Sequence, residues 1–134
     1  MNTEQNLSLV VRYNKDVIES GNMAILKEIA SPDFINHSAP EGMPSGLDGM
    51  EYFFKEILHN AFSDIEVSIE DMVANENKVA TRKVIYGTHT GKLMDILPSG
   101  KKIAINVIDI LLIENGKIKA HWGQNNFSEV IQSL

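Results

Sequence analysis

The sequence predicts an α+β domain in which three N-terminal helices pack on a curved, mostly antiparallel sheet. Three observations carry this expectation. Apolar residues recur with helical spacing up to about Ala61, the period changes to two from Asp64 onward, and an Asn115-Gly116 pair separates two long β-rich stretches. Helices first and strands after argue against a parallel doubly wound sheet, which would alternate them. The 134 residues read as a single domain, 1–134, long enough for a proper core.

Helix one carries Leu7, Val10, Val11, Val17 and Ile18 on one face and stops at Gly21. Asn14, beside Tyr13, interrupts that face. Either these polar groups bond to nearby backbone or they face a pocket. Asn22 caps a short second helix with Ile25, Leu26 and Ile29, and Pro32 ends it. Asp33 to Ser38 reads as a short extended piece, and Ala39 to Gly46, with two prolines and two glycines, as a loop. Ser45 caps a third helix whose stripe is Leu47, Met50, Phe54, Ile57, Leu58 and Ala61; Phe54 is core or ligand wall.

Ile65, Val67 and Ile69 then alternate with Glu66, Ser68 and Glu70, a strand with one wet face, and the slip at Asp71-Met72-Val73 predicts a bulge. After a turn at Asn75-Glu76-Asn77, the strand Lys78 to Thr90 places Ala80, Arg82, Val84, Tyr86 and Thr88 on one face. Gly91 to Gly100 is a loop rich in apolar residues, which suggests a flap over a cavity or a subunit contact. The last hairpin joins Lys101–Ile113 to Lys117–Phe127 through Asn115-Gly116, a pair that accepts the positive φ angles of a type I′ turn.

Composition narrows the function classes. A hydrophobic fraction of 43% with 22% charged residues is that of a globular chain, and no apolar run reaches transmembrane length. A formal charge of -6 with dispersed lysines disfavours nucleic acid as a partner. Without cysteine there is no disulfide, thiolate nucleophile or Cys-based zinc site. No leader-like segment opens the chain, so a cytoplasmic location and no membrane association are expected. The histidines, at 37, 59, 89 and 121, show no paired metal-ligand spacing, and no metal is expected. Neither a Gly-x-Ser-x-Gly elbow nor a phosphate-binding glycine loop is present.

Several stretches together resemble a known family. Val11-Arg12-Tyr13-Asn14, Ser31-Pro32-Asp33-Phe34-Ile35-Asn36-His37, Gly87-Thr88-His89-Thr90-Gly91, Ser99-Gly100-Lys101, and Gly116-Lys117-Ile118 followed by Trp122 are similar, in order, to the SnoaL-like polyketide cyclases. That family has the nuclear transport factor 2-like fold. The resemblance implies a cone-shaped barrel with a deep apolar pocket, commonly a homodimer packed through the sheet. It also implies ring closure of a polyketide by intramolecular aldol condensation without metal or organic cofactor. The family's essential acid, four residues after a Trp on the last strand, falls here on Asn126. An amide cannot shuttle a proton near neutrality, so another group must do so if chemistry occurs.

Asp109 is the leading candidate, because it sits in the apolar run Ile103–Ile113, where a carboxylate must be paired, protonated or facing a wet cavity. It faces a pocket as an acid or base, or forms a structural pair with Arg82 or with a subunit neighbour. His37, where the resemblance places a pocket histidine, and His89 are the other candidate acid/base groups. Alternation puts Trp122, Gln124 and Asn126 on one wall, either core or ligand-binding, opposite His121, Gly123 and Asn125. Candidate ligand contacts are thus Tyr13, Asn14, Phe54, Arg82, Trp122, Gln124 and Asn126, around a hydrophobic carbonyl-bearing molecule. The alternative is a non-catalytic binding or dimerisation module. A homodimer would pack through the sheet face carrying Ile65, Val67 and Ile69 or their neighbours.

Overall fold

The computed structural model describes residues 2–134. Helix α1 (Thr3–Arg12) opens with a capping box between Asn2 and Gln5 and continues without a break into a π-helical stretch, Tyr13–Glu19. Such wide turns recur at functional sites, and this one carries Tyr13 and Asn14 toward the interior. Helix α2 (Met23–Ile29) starts at Asn22, whose Oδ1 accepts the Ile25 amide at 3.1 Å. The helix ends at Ile29, ahead of Pro32, which lies inside strand β1 (Ala30–Asn36). β1 is an edge strand, where a missing N–H costs no ladder bond.

Helix α3 (Leu47–Tyr52) begins after Gly46, one residue later than the expected Ser45 cap. It runs through a second π-helical stretch, Phe53–Leu58, to a last turn at His59–Ala61. Strands β2 (Phe62–Asn75), β3 (Lys78–His89), β4 (Lys102–Glu114) and β5 (Lys117–Asn125) follow. The sheet order is β1-β5-β4-β3-β2, antiparallel throughout except for the parallel β1–β5 pair. Asn115 and Gly116 have φ angles of 52° and 74°, as the hairpin turn requires.

Register shifts bend the sheet. Two lie in β2, one of them between Ile69 and Asp71 at the start of the predicted slip, and one lies opposite Leu112 and Ile113 in β5. The β5 shift sets its phase: Ile118 pairs with buried Ile113 and His121 with buried Leu111, so both face inward although their numbers differ by three. The core fills the concave face beneath α1 and α3, with Val10, Val17, Phe54 and Leu58 packed against Val67, Val79, Ile105 and Leu111.

Two expectations are corrected. The last strand stops at Asn125, and a further helix, α4 (Phe127–Ser133), follows and buries Val130. Val67 is buried, and Ile65 and Ile69 pack on the core, so these residues belong to the inner face. The outer face instead carries Val73, Ala80, Ile110 and Trp122 in one row across four strands, with exposed Ile108 next to it on β4. Among the described residues no helix is long and apolar enough to cross a membrane.

Candidate active site

Three neighbouring strands each place one ionisable side chain on the concave face. In register, Thr81 of β3 lies beside Asp109 of β4, and Asp109 beside Gly123 of β5. Lys83 and His121 occupy the diagonal positions on either side, a separation long side chains can span. Lys83 Nζ donates to Asp109 Oδ2 at 2.9 Å, and His121 Nε2 lies 3.4 Å from the same oxygen. The Lys83 and Asp109 side chains are each 2% exposed and that of His121 is 14% exposed, so His121 is the member that reaches toward solvent.

The helices complete the surroundings of the ammonium. Asn14 Nδ2 donates to the Val10 carbonyl at 2.9 Å, which turns Oδ1 toward Lys83 Nζ, 2.7 Å away. The ammonium also lies 5.4 Å from the centre of the Tyr13 ring, within cation–π range. Burial and the neighbouring Asp109 charge raise the Tyr13 hydroxyl well above its ordinary pKa, so it stays protonated and approaches Met50 Sδ at 3.5 Å.

Burial alone would raise the pKa of the Asp109 carboxyl. The Lys83 charge and the hydrogen bonds from His121 and Lys83 together outweigh burial and hold it below the ordinary 3.8. The carboxylate is anchored through one oxygen only. Its Oδ1 is buried without a hydrogen-bond partner, as is Oγ1 of Thr81 beside it in register. An unpaired acceptor in the interior is costly in a purely structural role.

Asp109 is therefore paired, though with Lys83 instead of Arg82. Arg82 points to the outer face and holds Asp71 through its Nε and Nη2 at 2.9 and 2.6 Å. Tyr13, Asn14 and Phe54 are buried on the helix side of the cluster, Phe54 packing edge-on against Tyr13. His37 and Trp122 lie outside the cluster and stack on each other, ring centres 4.7 Å apart and nearly parallel. Gln124 is exposed on the outer face. Asn126 accepts the Asn106 amide at 2.8 Å and donates its own amide to the Asn106 carbonyl, fastening the junction of β5 and α4. His89 is fully buried near Phe62, with Nδ1 accepting the Ser99 amide and Nε2 unpartnered.

The sequence reading missed Lys83, His121 and Asn36. A signal for the first existed: Arg82 and Lys83 are adjacent in an alternating strand, so one of them had to face inward, between Thr81 and Ile85. His121 depended on the β5 register shift, and Asn36 on the parallel pairing of β1, neither of which has a sequence signature here. Two surface cavities of about 410 Å³ lie elsewhere, one along α1 from Asn2 to Arg12, the other between α3 and the loop at Leu93 and Met94. The second borders the apolar loop, and neither reaches Asp109.

Comparison with known proteins agrees with this architecture. A family model described as SnoaL-like polyketide cyclase matches residues 8–134. Aklanonic acid methyl ester cyclase DnrD of Streptomyces peucetius is 29% identical over 84% of this chain and 79% of its own, and DauD of Streptomyces sp. (strain C5), of the same description, is 25% identical over 84% and 68%. The structure of TsrD from Streptomyces laurentii superposes with a TM-score of 0.85 at 20% identity, covering 100% of this chain and 99% of that one. A putative polyketide cyclase from Bacillus cereus gives 0.81 at 25% identity, covering 96% and 78%. With a match spanning nearly the whole chain and a helix-covered, curved five-stranded sheet to go with it, the chain belongs to the SnoaL-like polyketide cyclase family.

Proposed function

We propose that this protein is a cofactor-independent acid/base enzyme acting on a hydrophobic carbonyl compound, with Asp109 as its base. The observation that carries the reading is the asymmetric carboxylate: Oδ2 is held by Lys83 and faced by His121, while Oδ1 has no partner. Oδ1 takes a proton from a carbon next to a carbonyl, and the C–H electron pair moves into the carbonyl to leave an enolate. The enolate carbon then attacks a second carbonyl of the same molecule, and the new alkoxide recovers the proton from Asp109. Ring closure of this kind is what the family membership supports. Return of the proton to another carbon would be isomerisation at the same site.

A carboxyl held below its ordinary pKa is a weak base, which restricts the substrate. It suits a carbon flanked by two carbonyls and not a simple ketone. The buried Lys83 ammonium offsets the charge that develops on the enolate. Asn126, tied to Asn106, contributes to holding the fold here and not to proton transfer. We also place the subunit contact of a homodimer on the outer row Val73–Ala80–Ile110–Trp122, an apolar strip on the side away from the cluster.

The test is deuterium exchange at the single acidic C–H of a hydrophobic β-keto ester, ethyl 2-benzylacetoacetate, followed by NMR in D2O. The wild-type protein should accelerate exchange saturably, and Asp109→Asn should abolish that acceleration while still binding the ester. Equal exchange by both proteins would refute Asp109 as the base. A second reading, a non-catalytic binding or dimerisation module, has one observation in its favour: neither described surface cavity reaches Asp109. Binding of the ester with no acceleration by the wild-type protein would select it.

A further inference from the structure

The ring of His121 is engaged at both nitrogens, and the two contacts differ in kind. Nε2 faces Asp109 Oδ2 at 3.4 Å, and Nδ1 lies 2.8 Å from Oδ1 of Asn36, at the end of β1. Asn36 Oδ1 also accepts the backbone amide of Ser38 at 3.0 Å. A backbone N–H can only donate, so this contact identifies the Asn36 atom as the oxygen and settles which way the side-chain amide is turned. An oxygen facing Nδ1 requires a hydrogen on Nδ1. Both ring nitrogens thus face an oxygen, and Nδ1 makes the shorter contact, 2.8 Å against 3.4 Å at Nε2, which favours Nδ1 as the nitrogen that keeps its hydrogen when the ring holds only one.

The surroundings hold the ring in this pose from two further directions. The His121 carbonyl accepts the His37 amide at 2.8 Å, and the Gly123 amide donates to Ser38 Oγ at 2.8 Å, which ties β5 to the segment carrying Asn36. Gly123 also leaves the ring its place. A Cβ there would lie 2.9 Å from His121 Cε1 and 3.3 Å from the Asp109 Cβ.

We infer that Asn36 is a positioning residue that fixes the protonation pattern of His121: Nδ1 keeps its hydrogen, and the exchangeable proton sits on Nε2, between the ring and Asp109. This rests on the acid/base reading for its consequence, because the fixed pattern makes His121 a proton partner of Asp109 Oδ2 and leaves Oδ1 for the substrate. The same geometry would hold in a protein that catalyses nothing. The tests of the two ideas therefore separate.

The experiment is long-range 1H–15N NMR of the His121 ring in full-length protein, titrated while folded, with exchange of ethyl 2-benzylacetoacetate measured in parallel. In the wild type, Nδ1 should keep the shift of a protonated nitrogen throughout, and only Nε2 should move to that of an unprotonated one. In Asn36→Ala the pattern should invert, with Nε2 keeping its hydrogen toward Asp109 and Nδ1 becoming the nitrogen that changes. Asn36→Asp retains an acceptor for Nδ1 and should restore the wild-type pattern. In the exchange assay Asn36→Ala should lower kcat roughly tenfold or more with KM little changed. An unprotonated Nδ1 in the neutral ring of the wild type overturns the inference, as does an unchanged pattern in Asn36→Ala; the wild-type spectrum decides even if that variant does not fold. Absence of wild-type exchange activity with the NMR pattern intact overturns the acid/base reading alone.

Discussion

Replacing Lys83 by Met removes the ammonium beside Asp109 while keeping most of the side chain's volume. Both partners are 2% exposed in the wild type, so the change leaves a buried carboxylate whose remaining side-chain neighbour is the His121 ring, with Nε2 3.4 Å from Oδ2. Breaking a buried ion pair from one side costs about 3–5 kcal/mol. The pH dependence gives the sharper signature. Burial raises the Asp109 carboxyl, and the Lys83 charge is the largest cause opposing it, so without Lys83 the folded-state pKa moves upward past the unfolded one. In the wild type the lowered carboxyl contributes stability that is full above the unfolded value, about 3.9, and lost as pH falls through the folded value. In Lys83→Met the raised carboxyl contributes stability that is full below about 3.9 and lost as pH rises through its folded value. The deficit should therefore be largest near pH 7 and shrink steadily as pH falls through about 4 and below. Urea unfolding followed by circular dichroism at several pH values measures it, and the double variant Lys83→Met/Asp109→Leu should recover most of the loss. A deficit below about 1 kcal/mol at pH 7, or one that does not change with pH, would refute a buried charged pair.

Two further perturbations probe the site and the proposed assembly. Gly123→Ala should displace His121 from Asp109 and destabilise the protein by about 1–3 kcal/mol, because the new Cβ meets the ring at 2.9 Å; unchanged His121 NMR shifts together with unchanged stability would contradict the packing described. Ile110→Glu places a charge in the middle of the outer apolar row and should convert a dimer to monomer in sedimentation at micromolar concentration without changing the circular dichroism. A wild-type monomer at those concentrations would remove the proposed contact altogether.

Much of the architecture was legible because it follows from local rules. Asn22 capped α2, Asn115-Gly116 formed the hairpin turn, and alternating β-branched residues formed the strands. Asp109 stood out because a carboxylate in an uninterrupted apolar stretch must have a partner. Choosing that partner failed, since alternation separates the two faces of β3 without saying which is inside. Arg82 is one of the alternatives the sequence leaves open, but the face that packs on the helices carries Val79, Thr81, Lys83 and Ile85. The β5 phase was read one way along the strand, whereas the register shift brings Ile118 and His121 to the same side. Helix α4 was missed by extending the strand to Phe127, although Phe127, Val130, Ile131 and Leu134 have helical spacing.

At neutral pH Asp109 is an ionised carboxylate, held by Lys83 and free at Oδ1. The most direct measurement is the 13C shift of its side-chain carboxyl through a pH titration, assigned by comparison with Asp109→Asn. The carboxyl should be in the ionised form throughout the neutral range, with a midpoint below the ordinary 3.8. A midpoint above that value would mean that burial outweighs Lys83 and His121, and would contradict a carboxylate anchored by the two.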